Sequence, residues 1–180
     1  MYLLGAGNDN IFGKVLYMTR IGVISDTHLA RCGEYLKLIV RRYFSDVDLV
    51  LHAGDLVNIS VLDAFYGKEV KAVCGNMDPP SVAKVLPGKI VFEIDGFTIG
   101  LMHGWGRSYY LQANLLKALG KIDCLVYGHT HHPENTEKDG VLFFNPGSAF
   151  SNRILSVNTI GIIETAETIT GKIIELNNIT

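Results

Sequence analysis

The sequence predicts an α/β protein in which two mixed β-sheets pack face to face with helices outside. Three observations point there. Short apolar runs alternate with an amphipathic helical stretch in the first half, the mark of a parallel sheet. Two Asp-Gly pairs between later apolar runs signal antiparallel hairpins, so both pairings occur in one chain. The strand runs, counted through to the tail, exceed one comfortable sheet.

Taken in order, Ile21 to Ser25 reads as the first strand. Glu34 to Phe44 follows with apolar residues at Tyr35, Leu36, Ile39, Val40 and Tyr43, a helical period, and Arg41 and Arg42 suit the negative end of the helix dipole. Leu49 to Ala53 is a second strand. Ser60 to Tyr66 reads as a short helix, with Ser60 and Asp63 in capping-box spacing and Gly67 as its stop. Val70 to Cys74 is the third strand. Ile90 to Ile94 and Phe97 to Met102 flank Asp95-Gly96 as a hairpin. Ser108 opens a helix carried by Leu111, Leu115 and Leu119, and Gly120 closes it. Cys124 to Tyr127 is another strand, and Asp139-Gly140 marks a second hairpin before Val141 to Phe144. Thr159 to Glu164 and Lys172 to Leu176 complete the set. Residues 1–17, rich in Gly and Asn, read as an upstream extension or arm ahead of a single domain over 18–180, with Met18 as the expected natural start.

A chain of 180 residues can bury one sizeable core, and 48% hydrophobic with 19% charged residues suits a soluble globular protein. No apolar run reaches the roughly 18 residues of a membrane span. A formal charge of -2 gives no reason to expect nucleic acid as a partner. Cys32, Cys74 and Cys124 are odd in number and widely spaced, which argues against disulfides and zinc knuckles. Cys74 and Cys124 read as core residues, and a cytoplasmic location follows. The sequence leaves homo-oligomerisation open.

Five of the strand runs end in a residue able to bind a metal. Ile21 to Ser25 leads into Asp26 and His28, Leu49 to Gly54 into Asp55, and Val70 to Gly75 into Asn76. Thr98 to Met102 leads into His103, and Leu125 to Gly128 into His129 and His131. In open α/β sheets ligands bind beyond the carboxyl ends of the strands. On an extended backbone, Asp26 and His28 would share one side, as would His129 and His131. Imidazoles with carboxylates suit Mn, Fe, Ni or Zn better than Ca or Mg. Seven ligands are too many for one tetrahedral ion and suit two ions with a shared carboxylate, an arrangement that serves in-line phosphoryl displacement.

In order along the chain, Asp26-x-His28, Gly54-Asp55, Gly75-Asn76, His103-Gly104 and Gly128-His129-x-His131 resemble the full motif series of the calcineurin-like metallophosphoesterases, and the length resembles their small stand-alone phosphodiesterase branch. The resemblance implies a four-layer αββα sandwich. It implies one metal on Asp26, His28, Asp55 and His131, and a second on Asp55, Asn76, His103 and His129, with Asp55 bridging. It implies two divalent transition metals, Mn or Ni foremost with Fe or Zn as alternatives, and a metal-bridging hydroxide that attacks a small phosphate diester. Two such ions, two aspartates and one hydroxide leave a site charge of about +1, which suits a phosphate ester. The alternatives are a phosphomonoesterase or nucleotide hydrolase of the same family, and a metal-binding scaffold like the retromer subunit of this fold.

One position departs from the family. Many members carry His after the Gly-Asn pair, where it helps the leaving group, and this chain has Met77. General acid catalysis is worth about 10²–10⁴-fold, so poor leaving groups are expected to react slowly. Asp78 reads equally as a support for the site and as a turn residue before Pro79-Pro80. His52, inside a strand, reads as a hydrogen-bonded core histidine and not a ligand, and His132 as a surface residue. Trp105, Arg107, Tyr109 and Tyr110 are equally pocket wall or loop packing. Asn145-Pro146-Gly147-Ser148 resembles a family loop near the active site. Arg153 reads by default as a solvated arginine, with a phosphate contact as the weaker alternative.

Overall fold

The computed structural model describes residues 18–106, 108–150 and 157–176. The expected extension over 1–17, together with Arg107 and Arg153, lies outside them, and the side chain of Tyr109 is likewise not described.

Ten strands form two five-stranded mixed sheets. In the first, β1 (Thr19–Ile24), β2 (Leu49–His52) and β3 (Glu69–Ala72) run parallel. The tail hairpin of β9 (Thr159–Thr165) and β10 (Ile169–Glu175) adds antiparallel to β1, so the order is β10-β9-β1-β2-β3. In the second, β5 (Phe97–Met102), β6 (Cys124–Val126) and β8 (Val141–Asn145) are parallel. The antiparallel strands β4 (Lys89–Ile94) and β7 (Glu134–Lys138) close its two edges.

Period-two alternation builds the layers. From β1 and β2, Ile21, Val23, Leu49 and Leu51 point between the sheets, where they meet Ile99, Leu101, Cys124, Val126, Leu142 and Phe144 of the second sheet. Ile24 and Val50 point the other way, onto Leu36, Ile39 and Val40 of helix α1 (Glu34–Tyr43) and onto Phe44, which caps it. Leu125, Tyr127 and Phe143 face outward from the second sheet onto Leu111, Leu115 and Leu119 of helix α3 (Ser108–Leu119). Helix, sheet, sheet and helix therefore stack as four layers around one inter-sheet core and two outer ones.

The Asp-Gly pairs make the expected tight turns. Asp95 and Gly96 both have positive φ, 50° and 87°, and Ile94 pairs with Phe97. Asp139 and Gly140, at 53° and 76°, join β7 to β8 in the same way. The short helix expected after β2 is a 3-10 helix at Ile59–Phe65, and the capping role expected of Ser60 is corrected. Its cap is Asn58, whose side-chain oxygen accepts the Ser60 N–H at 3.0 Å. Pro80 begins helix α2 (Pro80–Ala83), where a missing N–H at the first position costs nothing. Cys124 is buried in the inter-sheet core as expected, while Cys74 is only half-buried.

Candidate metal centre

All seven candidate ligands lie just beyond the carboxyl ends of β1, β2, β3, β5 and β6, where the two sheets meet. Asp26, His28 and His131 bring one ligand atom each within 4.8 Å of one another, and so do Asp26, Asp55 and His103. His131 Nε2 is 3.1 Å from Asp26 Oδ1 and 3.2 Å from His28 Nε2. Asp55 Oδ2 lies 3.8 Å from His28 Nε2 and 3.4 Å from His103 Nε2, between the two groups. His129 Nδ1 is 2.8 Å from Asn76 Oδ1. Asp26, Asp55 and His103 are almost wholly buried, His28, His129 and His131 are half-buried, and Asn76 is exposed.

The backbone does not run as the alternation argument requires. Asp26 (φ 52°), His28 (48°), His129 (70°) and His131 (57°) are all left-handed, as is Asp55 (55°). The two ligand pairs converge because the chain kinks at each of their four residues, not because it stays extended. A non-glycine residue in this region costs on the order of 1–2 kcal/mol, so tertiary contacts must impose it. Asp26 N–H donates to Gly54 O and His28 N–H to Asp55 O, both at 3.0 Å, which zips the first two ligand loops together. Ser148 Oγ donates to Asp26 O at 2.9 Å, and Asn145 Nδ2 donates to Gly128 O at 2.9 Å and to Thr130 Oγ1 at 3.1 Å. The Asn145-to-Ser148 loop is thus a brace beneath the ligand loops.

Asp78 is the strongest brace, and the sequence left its role undecided. Its Oδ2 accepts the N–H groups of Asp55 (3.1 Å) and Gly75 (2.8 Å), and its Oδ1 accepts that of Val57 (2.5 Å). Val57 is β-branched at φ 74°, a conformation it would not adopt unaided. One carboxylate therefore fixes the Asp55 loop to the Asn76 loop. Glycine is needed where these loops touch. At Gly54 (φ 98°) a Cβ would fall 2.7 Å from the His103 ring, and at Gly75 it would collide with Asp55 Oδ1.

His52 is buried and hydrogen-bonded through both ring nitrogens. Its Nδ1 accepts the Gly54 N–H at 3.2 Å, so in the neutral ring Nε2–H donates to Thr27 Oγ1, also at 3.2 Å. Burial pushes its pKa down to about 3, which keeps the ring neutral. His103 donates its Nδ1–H to Ala53 O at 2.7 Å and so aims Nε2 at the carboxylates. Burial opposes charge on His103, but Asp55 and Asp26 raise its pKa above the ordinary value. Burial likewise opposes ionisation of Asp55, yet His103, the Met77 N–H and His28 outweigh it and hold the carboxyl below its usual range.

The donor set fits divalent transition ions. Two buried ligand atoms, Asp26 Oδ1 and His103 Nε2, lie 4.0 Å apart and neither has a hydrogen-bond partner. Leaving such groups unsatisfied costs about 1–3 kcal/mol each, and a cation coordinated at each atom removes that cost. His129 shows the same need. If its Nε2–H donates to Gly106 O at 3.0 Å, its bare Nδ1 faces Asn76 Oδ1 at 2.8 Å, two lone pairs that a shared cation reconciles. Among the other residues singled out from sequence, His132, Trp105 and Tyr110 are exposed.

Residues 19–168 match the model of the calcineurin-like phosphoesterase superfamily domain. A probable metallophosphoesterase of Methanocaldococcus jannaschii is 40% identical over 132 residues, covering 71% of this chain and 67% of that protein. A phosphodiesterase of the same organism is 31% identical over 163 residues, covering 81% and 93%. The solved structure of an archaeal phosphodiesterase superposes with a TM-score of 0.71 at 27% identity, covering 88% of this chain and 100% of its own.

Proposed function

The chain belongs to the calcineurin-like phosphoesterase superfamily, and on that premise we propose that it is a dinuclear metal-dependent phosphodiesterase acting on a small phosphate ester. Asp26, His28, Asp55 and His131 hold one ion, and Asp55, Asn76, His103 and His129 hold the other, with Asp55 shared. The observation that carries this reading is the pair of buried ligand atoms on Asp26 and His103 that make no hydrogen bond. Mn or Ni is the proposed native metal, from the mixed imidazole and carboxylate set.

When bound, two such ions supply positive charge for the phosphate oxygens and a nucleophile drawn from water at neutral pH. The chain's own residues prepare the rest. The Met77 N–H donates to Asp55 Oδ1 at 2.7 Å, which turns Oδ2 toward His28 and His103. His103 is locked by Ala53 O and His129 by Gly106 O, so their ligand nitrogens need no reorientation when substrate arrives. No side chain at position 77 can give a proton to the departing oxygen. This supports an ester with a good leaving group, and the phosphodiesterase name of one relative supports a diester. The free cysteines Cys32, Cys74 and Cys124 support a cytoplasmic location. Among the described residues no helix is long and apolar enough to cross a membrane.

The test is turnover of bis(p-nitrophenyl) phosphate and of p-nitrophenyl phosphate by protein loaded with Mn or Ni, with bound metal counted. Clear diester hydrolysis at two ions per chain is the expected result. Two ions with no turnover on either ester would make the protein a metal-binding scaffold, and faster monoester turnover would make it a phosphomonoesterase.

A further inference from the structure

The rim of the site carries two large apolar side chains that the phosphodiesterase reading leaves unused. Met77 follows ligand Asn76 and is 60% exposed; Trp105 lies two residues after ligand His103 and is 46% exposed. Scattered surface apolar residues need no explanation, but these two share one anchor. His129 meets Asn76 Oδ1 through Nδ1 at 2.8 Å and Gly106 O through Nε2 at 3.0 Å. This imidazole therefore sits between the loop that carries Met77 and the loop that carries Trp105, and its Nε2–H ties it to the second. Met77 is pinned again by its N–H on Asp55 Oδ1 at 2.7 Å. The backbones of both loops are fixed while the two side chains stand in solvent.

Burial falls from Asp26, Asp55 and His103 at the floor, through His129, to Asn76, Met77 and Trp105 at the rim. A phosphate seated on the floor must send its organic groups outward across that rim. An indole offers a flat stacking face and a thioether an adaptable apolar one, and neither places a charge there.

We propose that Trp105 and Met77 form an apolar clamp that selects phosphate esters bearing a flat aromatic group. This rests on the phosphate-ester reading above and adds the class of ester. The clamp holds the aromatic group of the ester while the floor holds the phosphate. It acts in binding, whereas the want of a proton donor at position 77 acts on bond cleavage.

Trp105 is the sole tryptophan of the chain, so its emission reports this surface alone. The experiment titrates metal-loaded, full-length protein with phenylphosphonate and with methylphosphonate, following Trp105 fluorescence and, in parallel, heat. Phenylphosphonate is expected to change the emission and to bind about three- to tenfold more tightly than methylphosphonate, the range of an aromatic contact. Calorimetry on Trp105→Ala and Met77→Ala is expected to bring the two affinities toward parity. Equal affinities in the wild type, binding of neither phosphonate, or an unchanged preference in both variants would overturn the clamp. A phenyl preference that persists in a preparation hydrolysing no ester would leave the clamp standing and remove the phosphodiesterase reading alone.

Discussion

Asp26, Asp55 and His103 are at most 2% exposed, whereas Met77 and Trp105, one or two residues beyond a ligand, are 60% and 46% exposed. The floor is built from short loops tied to each other by backbone hydrogen bonds and by Asp78, with five left-handed ligand residues held against their own preference. The rim is built from two loops that meet at His129, the first also pinned through the Met77 N–H and Asp78, with the Met77 and Trp105 side chains exposed. The difference separates two tasks. Concentrating charge requires burial and rigid geometry, because both the Coulomb energy and the cost of misplacing it grow as water is removed. Sorting substrates requires exposed groups that the substrate itself buries.

If that division holds, breaking the floor should abolish function and lower stability together. Chelation is expected to end turnover and reduce the melting temperature, since a ligand present at ~1,000 times its dissociation constant adds ~4 kcal/mol to the folded state. Asp55→Asn should do the same by weakening both ions at once, and metal analysis checks it. Two ions still held tightly by Asp55→Asn would remove the shared role of that carboxylate.

Changing the rim should alter preference and spare the floor. Met77→His places an imidazole beside Asn76, and a gain of ~10²–10⁴-fold is expected on alkyl diesters, which need a proton on the departing oxygen. Little change is expected on p-nitrophenyl esters. The imidazole must be protonated to act, so the gain should fade as pH rises through its pKa, ordinarily ~6.5. A pH–rate profile on both esters checks this, and equal gains on both would erase the distinction.

Asp78 spans the boundary, because it joins the Asp55 loop to the Asn76 loop. Asp78→Asn turns an amide NH2 toward backbone donors, and metal affinity measured by calorimetry should fall by roughly 10–100-fold. An unchanged affinity would mean that floor and rim are held together elsewhere.

The smallest effect concerns His52, deep under the floor. Its folded pKa of about 3 lies below the ordinary value of 6.5. Between those values the unfolded chain binds a proton that the folded chain refuses, so His52 makes the fold less stable as pH falls, by at most ~1.4 kcal/mol per pH unit. Above about pH 6.5 it has no such effect. In His52→Gln the denaturation midpoint should depend less steeply on pH between about 4 and 6.5, and an identical slope would show that His52 is protonated in the fold.

Much of this architecture was legible in local chemistry. Apolar runs that stop at a ligand marked β1, β2, β3, β5 and β6 and the end of the sheets where the site lies. Asp95-Gly96 and Asp139-Gly140 marked two hairpins, because few pairs accept two positive φ angles. The period of Glu34 to Phe44 marked α1 and the face it buries. Other features are set by contacts between residues far apart in the chain. Local energies favour an extended or helical backbone at Asp26, His28, His129 and His131, and bonds from Gly54, Asp55, Asn145 and Ser148 help hold the left-handed one. The three N–H groups on Asp78 come from Asp55, Val57 and Gly75, and a turn aspartate before two prolines looks the same in sequence whether or not they reach it. The tail hairpin pairs with β1 because β1 has an open edge there, which no residue in the tail records. Period and composition report what a segment prefers alone; register, strand order and strain depend on which distant donors and acceptors the packed sheets bring within reach.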